Sequence, residues 1–236
     1  MVPLLTKPVT LDVRRGSHAV RGKLSLILIT FIAVLAAGCP SLWKTDMVEK
    51  DPGPDKLFQA AEDLFQKKQY AQAVRAYEAL KSGHPDFEKM PEVYLKIADA
   101  LYDEKSYGKA MAGYHDFIDH YPGNKEVPRA KFNIGMAYFN QIKNTDLDSS
   151  VIQRAEAEFK ALSENSNAGE WAKKAEEKYK ECRKKLAEKE MYKARTMLDV
   201  KNYQAARLAA KRVLDEYPKL GYDNDASELI KSIKGK

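Results

Sequence analysis

"PDKLFQAAEDLFQKKQYAQAVRAYEALKSGHP", residues 54 to 85, is echoed by "PEVYLKIADALYDEKSYGKAMAGYHDFIDHYP", residues 91 to 122, and this pairing decides the fold. At a constant offset of 37, Pro54/Pro91, Ala61/Ala98, Leu64/Leu101, Lys68/Lys105, Tyr70/Tyr107, Ala73/Ala110, Tyr77/Tyr114 and Pro85/Pro122 are identical. Two unrelated amphipathic helix pairs would not keep eight matches on one offset. Within each unit the order is a small residue, an apolar residue three on, then Tyr, Ala, Tyr and Pro at fixed steps. That order describes two helices joined by a short turn, with small residues where the helices cross.

This is the tetratricopeptide signature, a helix-turn-helix unit whose Ala or Gly lets helices A and B approach closely. A third unit is recognisable but stretched, with Gly135 and Tyr138 on helix A and Ala155, Phe159 and Leu162 on helix B. Its extra residues fall in "QIKNTDLDSSVIQ", where Asp148, Ser149 and Ser150 are available to cap the next helix. A last unit appears at Ala194, Tyr203, Ala206, Ala210 and Pro218. Residues 171 to 200 hold no Pro or Gly and alternate charge, which predicts one or two long helices. Residues 223 to 233 are expected to cap the end of the stack. The fold class is all-α, a tetratricopeptide superhelix, with repeats at 54–87, 91–124 and 128–169 and a C-terminal repeat region at 170–236.

The start of the chain has a different character. Residues 24 to 37, "LSLILITFIAVLAA", are almost wholly apolar. The run falls short of the roughly 20 residues that a membrane-spanning helix needs. Arg14, Arg15, Arg21 and Lys23 precede it, and basic, then apolar, then small is the order of a secretory signal. Ala36-Ala37-Gly38-Cys39 resembles the bacterial lipobox, although Leu35 stands four places before the Cys instead of the usual three. The resemblance implies a signal peptide over 1–38, a covalent lipid on Cys39 and a polar tether over 39–53. Acyl chains contribute about 0.8 kcal/mol per buried CH₂, so two or three chains anchor firmly. Pro40 follows the Cys instead of the Asp that retains such proteins in the inner membrane. The expected address is therefore the periplasmic face of the outer membrane.

Charge argues against nucleic acid as a partner. The formal net charge of +6 shrinks to +2 once residues 1–39, with five Lys/Arg and one acid, are set aside. What remains is split: residues 40–169 carry 17 basic and 21 acidic side chains, and residues 170–236 carry 18 and 12. Such polarity suits protein partners at two ends, and no basic recognition helix or aromatic-interleaved basic strand is evident. With Cys39 lipidated, Cys182 has no disulfide partner and reads as a small helix-packing residue.

The lipobox, the repeats, "GMAYFNQIKNTDLDSS" and "LAEKEMYKARTMLDVKNYQAARLAAKRVLDEYP" together resemble the BamD family, tetratricopeptide lipoproteins of the outer-membrane β-barrel assembly machinery. The particular features are Tyr-Phe-x-Gln-Ile leading into an extended D-x-D loop, and the Leu-Ala-x-x-Glu start of the late helix. Family members often carry an Arg in the middle of the last B helix, where this chain has Ala209 flanked by Arg207 and Arg212. The resemblance implies partners: the β-barrel insertase subunit, companion lipoproteins and unfolded outer-membrane proteins bearing an aromatic-ended final strand.

Stacked helix pairs curve with helices A on the concave face. In the repeat frame the expected peptide groove is Phe58, Glu62, Phe65, Leu95, Asp99, Tyr102, Phe132, Met136 and Phe139, a stripe of large apolar side chains edged with carboxylates. Aromatic burial there would supply most of the affinity for an extended peptide. The basic region from Trp171 onward, with Arg207, Lys211 and Arg212, is the expected docking surface for the insertase and companion lipoproteins. Enzymatic classes fare poorly. His115 and His120 stand at i, i+5, not the i, i+4 of a zinc pair, and Asp146 and Asp148 lack the other ligands and Gly of a calcium loop. No catalytic residue, metal or cofactor is expected, apart from the covalent lipid. The competing class is another periplasmic repeat lipoprotein, such as a secretin pilotin or a cell-wall synthesis scaffold.

Overall fold

Pro54, Pro91 and Pro128 each open a helix A at its first or second position, where no backbone N–H is needed. The computed structural model describes residues 51–142 and 149–235. The expected signal peptide, Cys39, the tether up to residue 50, and Asp146 and Asp148 lie outside the described residues. Among those described there are nine α-helices and no strand: α1 Pro54–Gln66, α2 Tyr70–Gly83, α3 Met90–Asp103, α4 Tyr107–His120, α5 Val127–Phe139, α6 Ser150–Ser163, α7 Glu170–Asp199, α8 Tyr203–Glu216 and α9 Asp223–Ser232, with a 3₁₀ turn at Ser166–Ala168. Each helix packs chiefly on its neighbours in sequence, as a repeat solenoid requires. Packing continues from α6 through α7 to α8, so no gap separates 54–169 from 170–236.

The turn from A to B is built the same way three times. Lys68, Lys105 and Lys201 stand at φ 58°, 65° and 59°, in the left-handed region. The next residue's N–H reaches back to close the helix: Gln69 to the Leu64 carbonyl at 2.9 Å, Ser106 to Leu101 at 2.9 Å, Asn202 to Met197 at 2.8 Å. The lysine N–H bonds Phe65, Tyr102 and Leu198 respectively, each at 2.9 Å. This is the Schellman ending, with lysine in the place glycine usually takes. Helices B end alike too. His84, Tyr121 and Tyr217 swing to φ −136°, −131° and −128°, because each precedes a proline that disfavours helical backbone.

Small residues fill the A–B crossings. Ala61 and Ala73, Ala98 and Ala110, and Ala194 and Ala206 are fully buried. In the third unit the pair is Gly135 and Ala155, and a Cβ on Gly135 would lie 2.6 Å from Cε1 of the buried Phe159 ring. Glycine here is a matter of space.

A second device joins the first two units to their successors. Tyr77 donates its phenol proton to the Glu62 carboxylate, which also accepts from Lys96 Nζ at 2.7 Å. Tyr114 donates to Asp99 at 2.7 Å, and Arg129 grips both Asp99 oxygens at 3.1 Å. Asn133 donates to the Tyr114 hydroxyl at 3.0 Å. Burial, then the adjacent carboxylate, pushes both phenols above their ordinary range, so they stay protonated donors. The third unit changes both partners together: Met136 stands where the carboxylate would be and Phe159 where the tyrosine would be.

Helix α7 is one unbroken rod of 30 residues. Ion pairs along it, such as Lys180–Glu176 at 2.7 Å and Lys174–Glu170 at 3.2 Å, are exposed to solvent and add little. Burial of Ala175, Cys182, Leu186, Ala187, Met191 and Ala194 anchors it. The Cys182 thiol is packed away, and that burial pushes it up to about 12. Ser149 occupies the cap position of α6, but its side chain makes no capping hydrogen bond, contrary to expectation. Helix α9 closes the stack, tied to α8 by Arg207 Nη2 donating to the Ile233 carbonyl at 2.9 Å.

Three outcomes are expected. Asp99→Ala strands a phenol and a guanidinium, and should cost about 2–3 kcal/mol in urea unfolding; a cycle with Tyr114→Phe should show coupling well above additivity. Gly135→Ala should cost about 1–3 kcal/mol through overpacking, and Phe159→Leu in the same chain should recover part of it. Lys105→Gly should gain about 1 kcal/mol by relieving left-handed backbone, seen as a rise of about 2–4 °C in Tm.

Candidate functional site

The face formed by α1, α3, α5 and the first half of α7 can be traced through its contacts. Lys96 of α3 lies 4.9 Å over the Phe65 ring of α1. Asn140, at the end of α5, donates to the Tyr102 hydroxyl of α3 at 2.7 Å. Lys178 and Lys185 of α7 lie 4.7 and 5.9 Å over the Phe139 ring of α5. Four successive elements therefore share one surface.

Of the nine groove residues expected on this surface, five keep partly open side chains: Phe65, Tyr102, Phe132, Met136 and Phe139. Phe65 meets Tyr70 edge-on at 5.5 Å, and Tyr102 meets Tyr107 likewise at 5.5 Å, which holds each ring without covering it. Phe132 packs on Phe159 at 5.5 Å and Trp171 at 5.3 Å.

The other four need correction. Phe58 is only 8% exposed, tucked against Phe87 at 5.8 Å and Tyr77 at 6.0 Å. Leu95 is 5% exposed and belongs to the core shared by α3, α4 and α5. Both fall on the expected face, but the loop before α3 and the next helix cover them. Glu62 and Asp99 do not edge a groove as free acceptors. Each is committed to a tyrosine and a cation of the scaffold.

Between the starts of α3 and α5 opens a cavity of about 590 Å³, lined by Lys89, Glu92, Leu95, Lys96, Lys125 and Arg129 among others. Its floor is apolar and its rim is charged with both signs. On the other side, a cleft of about 900 Å³ runs between α2 and α4 over Val74, Ile97 and Leu101.

The lysines of α7 were not singled out from the sequence. Lys174, Lys178 and Lys185 recur at helical spacing on one side of α7, and Lys174 lies 4.0 Å over Trp171. That periodicity was present in the charged run, but without the fold nothing showed which side meets α5. Lys178 is held by Glu181 at 2.7 Å, and Lys185 is half-buried beside Phe139.

At the far end, Arg207 and Lys211 are exposed on α8, and Arg212 stands 3.9 Å from Glu190. Ala209 is buried, so this position on α8 faces the core while Arg207 and Lys211 face outward. Tyr192 and Leu208 are 59% and 56% exposed nearby in sequence on α7 and α8. His120 Nδ1 donates to the Asp116 carbonyl at 2.8 Å and its ring lies tilted at 45° beside that of Tyr94, centroids 4.9 Å apart; His115 is exposed on the same helix. Among the described residues no group of three or more His, Cys, Asp or Glu could hold a metal, and no helix is long and apolar enough to cross a membrane.

Comparison with known proteins bears on this arrangement. No curated protein matches the chain. Among solved structures, a thermophilic tetratricopeptide-repeat protein of Thermus thermophilus is similar at 14% identity and a TM-score of 0.39, over 77% of this chain and 99% of that one. The family described as YfiO, outer membrane lipoprotein, matches residues 50–234, which takes in all nine helices among the described residues. The chain thus belongs to the YfiO, or BamD, family of outer membrane lipoproteins.

Proposed function

We infer that this lipoprotein serves the β-barrel assembly machinery of the outer membrane. It binds extended segments of unfolded outer-membrane proteins along the A-helix face and holds the insertase and companion lipoproteins through its C-terminal region. Residues 1–39 would deliver it to the periplasmic face of the outer membrane, with a lipid on Cys39 as its anchor. The observation that supports the binding role best is the row of partly open aromatic and Met side chains, Phe65, Tyr102, Phe132, Met136 and Phe139, on successive A helices. An extended strand presents side chains on one face at every second residue, so a row of apolar seats matches an alternating aromatic pattern. The protein works here as a scaffold and binder, with no chemistry of its own.

For the docking role, the support is the charge split and the exposure of Arg207 and Lys211 beside Leu208. Arg and aromatic side chains are enriched at protein interfaces, and Arg207 and the exposed Tyr192 are of that kind.

The test is photo-crosslinking of the full lipoprotein to peptides carrying the C-terminal sequence of outer-membrane barrels. Phe65→Ala with Tyr102→Ala should reduce crosslinking at least several-fold, with a thermal melt to show that the fold persists. Unchanged crosslinking refutes the groove. Affinity purification from membranes should recover the barrel insertase; recovery of a secretin instead would support the pilotin alternative.

A further inference from the structure

The side of the stack away from the A-helix face carries a second apolar surface. Helices α2 and α4 run side by side in one direction, and Lys81 near the end of the first bonds Asp116 near the end of the second at 2.9 Å. Before that pair they part over the cleft of about 900 Å³ floored by Val74, Ile97 and Leu101. One unit further on, Met111 and Ile118 stand at the places of Val74 and Lys81, and both pack against the core of α3, α4 and α5. The cleft walls are low, since α2 presents Ala71 and α4 presents Ala112 and Gly113. Charges on the rim are free: among the described residues Arg75, Glu78, Lys109 and Asp119 have no ion pair and no side-chain hydrogen bond. Their signs are sorted. Arg75 and Lys109 stand toward the starts of the two helices, beside Glu104, while Glu78 and Asp119 stand toward the ends, beside His115. The helix dipoles act in the same sense, positive at the starts and negative at the ends.

We propose that the α2–α4 cleft docks an amphipathic helix of a partner protein, lying parallel to α2 and α4, with carboxylates in its first turn and Lys or Arg in its last. The apolar face of that helix covers Val74, Ile97 and Leu101, and Ala112 and Gly113 let it come close to α4. No amide or hydroxyl side chain lines the cleft to serve an extended backbone. An occupant that satisfies its own N–H and C=O groups therefore fits best, and a helix does so. Charge order fixes the direction: a reversed helix would set its cations against Arg75 and Lys109. Acids early and bases late is also the order a helix's own dipole favours, so the stability of the occupant and its fit to the rim ask for the same sequence. The cleft shares no residue with the proposed A-helix groove.

The experiment uses the full lipoprotein in detergent micelles. The probe is a labelled amphipathic peptide as long as α2, 14 residues, with Glu in its first turn and Lys in its last. A twin of the same composition has Lys first and Glu last, and a side-chain lactam on the polar face holds both helical. Each carries a photo-crosslinker, so that peptide taken up by micelles forms no adduct with the protein. Adduct from the first peptide should reach half-saturation at about tenfold lower concentration than adduct from the twin, equivalent to about 1.4 kcal/mol. A crosslinker at its N-terminal end should attach near Ala71 and Lys109, and one at its C-terminal end near His115 and Asp119. Arg75→Glu with Lys109→Glu should remove the preference, and Ala112→Tyr, which fills the cleft from an exposed position, should abolish both adducts while a thermal melt shows the fold intact. Equal adducts from the two peptides, no adduct from either, or adducts indifferent to Ala112→Tyr overturn the proposal. Undiminished adduct from a third peptide, kept from helicity by a central Pro, assigns the cleft to an extended segment and overturns it as well.

Discussion

Two helices come only as near as the side chains between them permit, and in this chain those side chains are methyl groups or a hydrogen. Ala61, Ala73, Ala98, Ala110, Ala155, Ala194 and Ala206 are all fully buried, a Cβ on Gly113 would lie 3.1 Å from that of Ala98, and one on Gly135 would strike the Phe159 ring. Close crossings of this kind put the larger residues one turn away within reach of the partner helix. Hence Tyr77 and Tyr114 can extend across to Glu62 and Asp99. Where the hydrogen replaces the methyl, at Gly135, a phenylalanine fills the space that would otherwise be open, and its apolar neighbour Met136 asks for no hydrogen bond. The third unit is thus a hydrophobic solution to a problem the first two solve with polar groups.

These commitments decide what the A-helix face has left to offer. A carboxylate that already accepts from a phenol and a cation has little reason to exchange them for a ligand, since breaking a satisfied network costs more than a new exposed contact returns. What the face still leaves partly open is its aromatic side chains, held at their edges, with lysines beside them whose own ion pairs are Lys174–Glu170 and Lys178–Glu181. On the proposed function, recognition on such a surface would draw mainly on ring burial.

Most of the fold was legible because the repeat is short-range and its offset is strict. The turns, the prolines that open helices A and the residues at each crossing all follow from matching one unit to the next. Even Lys68 and Lys105 stand out as identities, although nothing in a lysine announces a left-handed turn. The site was less legible. Counting positions in the repeat frame finds the face but not the depth of each side chain. Phe58 and Leu95 are covered by Phe87 and by the following helix pair, which a frame built on one unit cannot see. Glu62 and Asp99 were read as rim residues because their cationic partners, Lys96 and Arg129, occupy different places in their own units. The α7 lysines were hidden for a related reason: the late helix departs from the repeat, so no offset pointed to the side that meets Phe139.

Helix α7 spans about 45 Å at 1.5 Å per residue and has neither proline nor glycine within it. Trp171, Lys178 and Lys185, from its start to its middle, lie against α5, and Met191 and Ala194 further on lie in the core beneath α8 and α9. A rod without a joint moves as a whole. On the proposed function, a tilt imposed by a polypeptide at one extremity would be delivered as a displacement to the surface bearing Arg207 and Lys211 at the other, and the two roles would share a single mechanical strut.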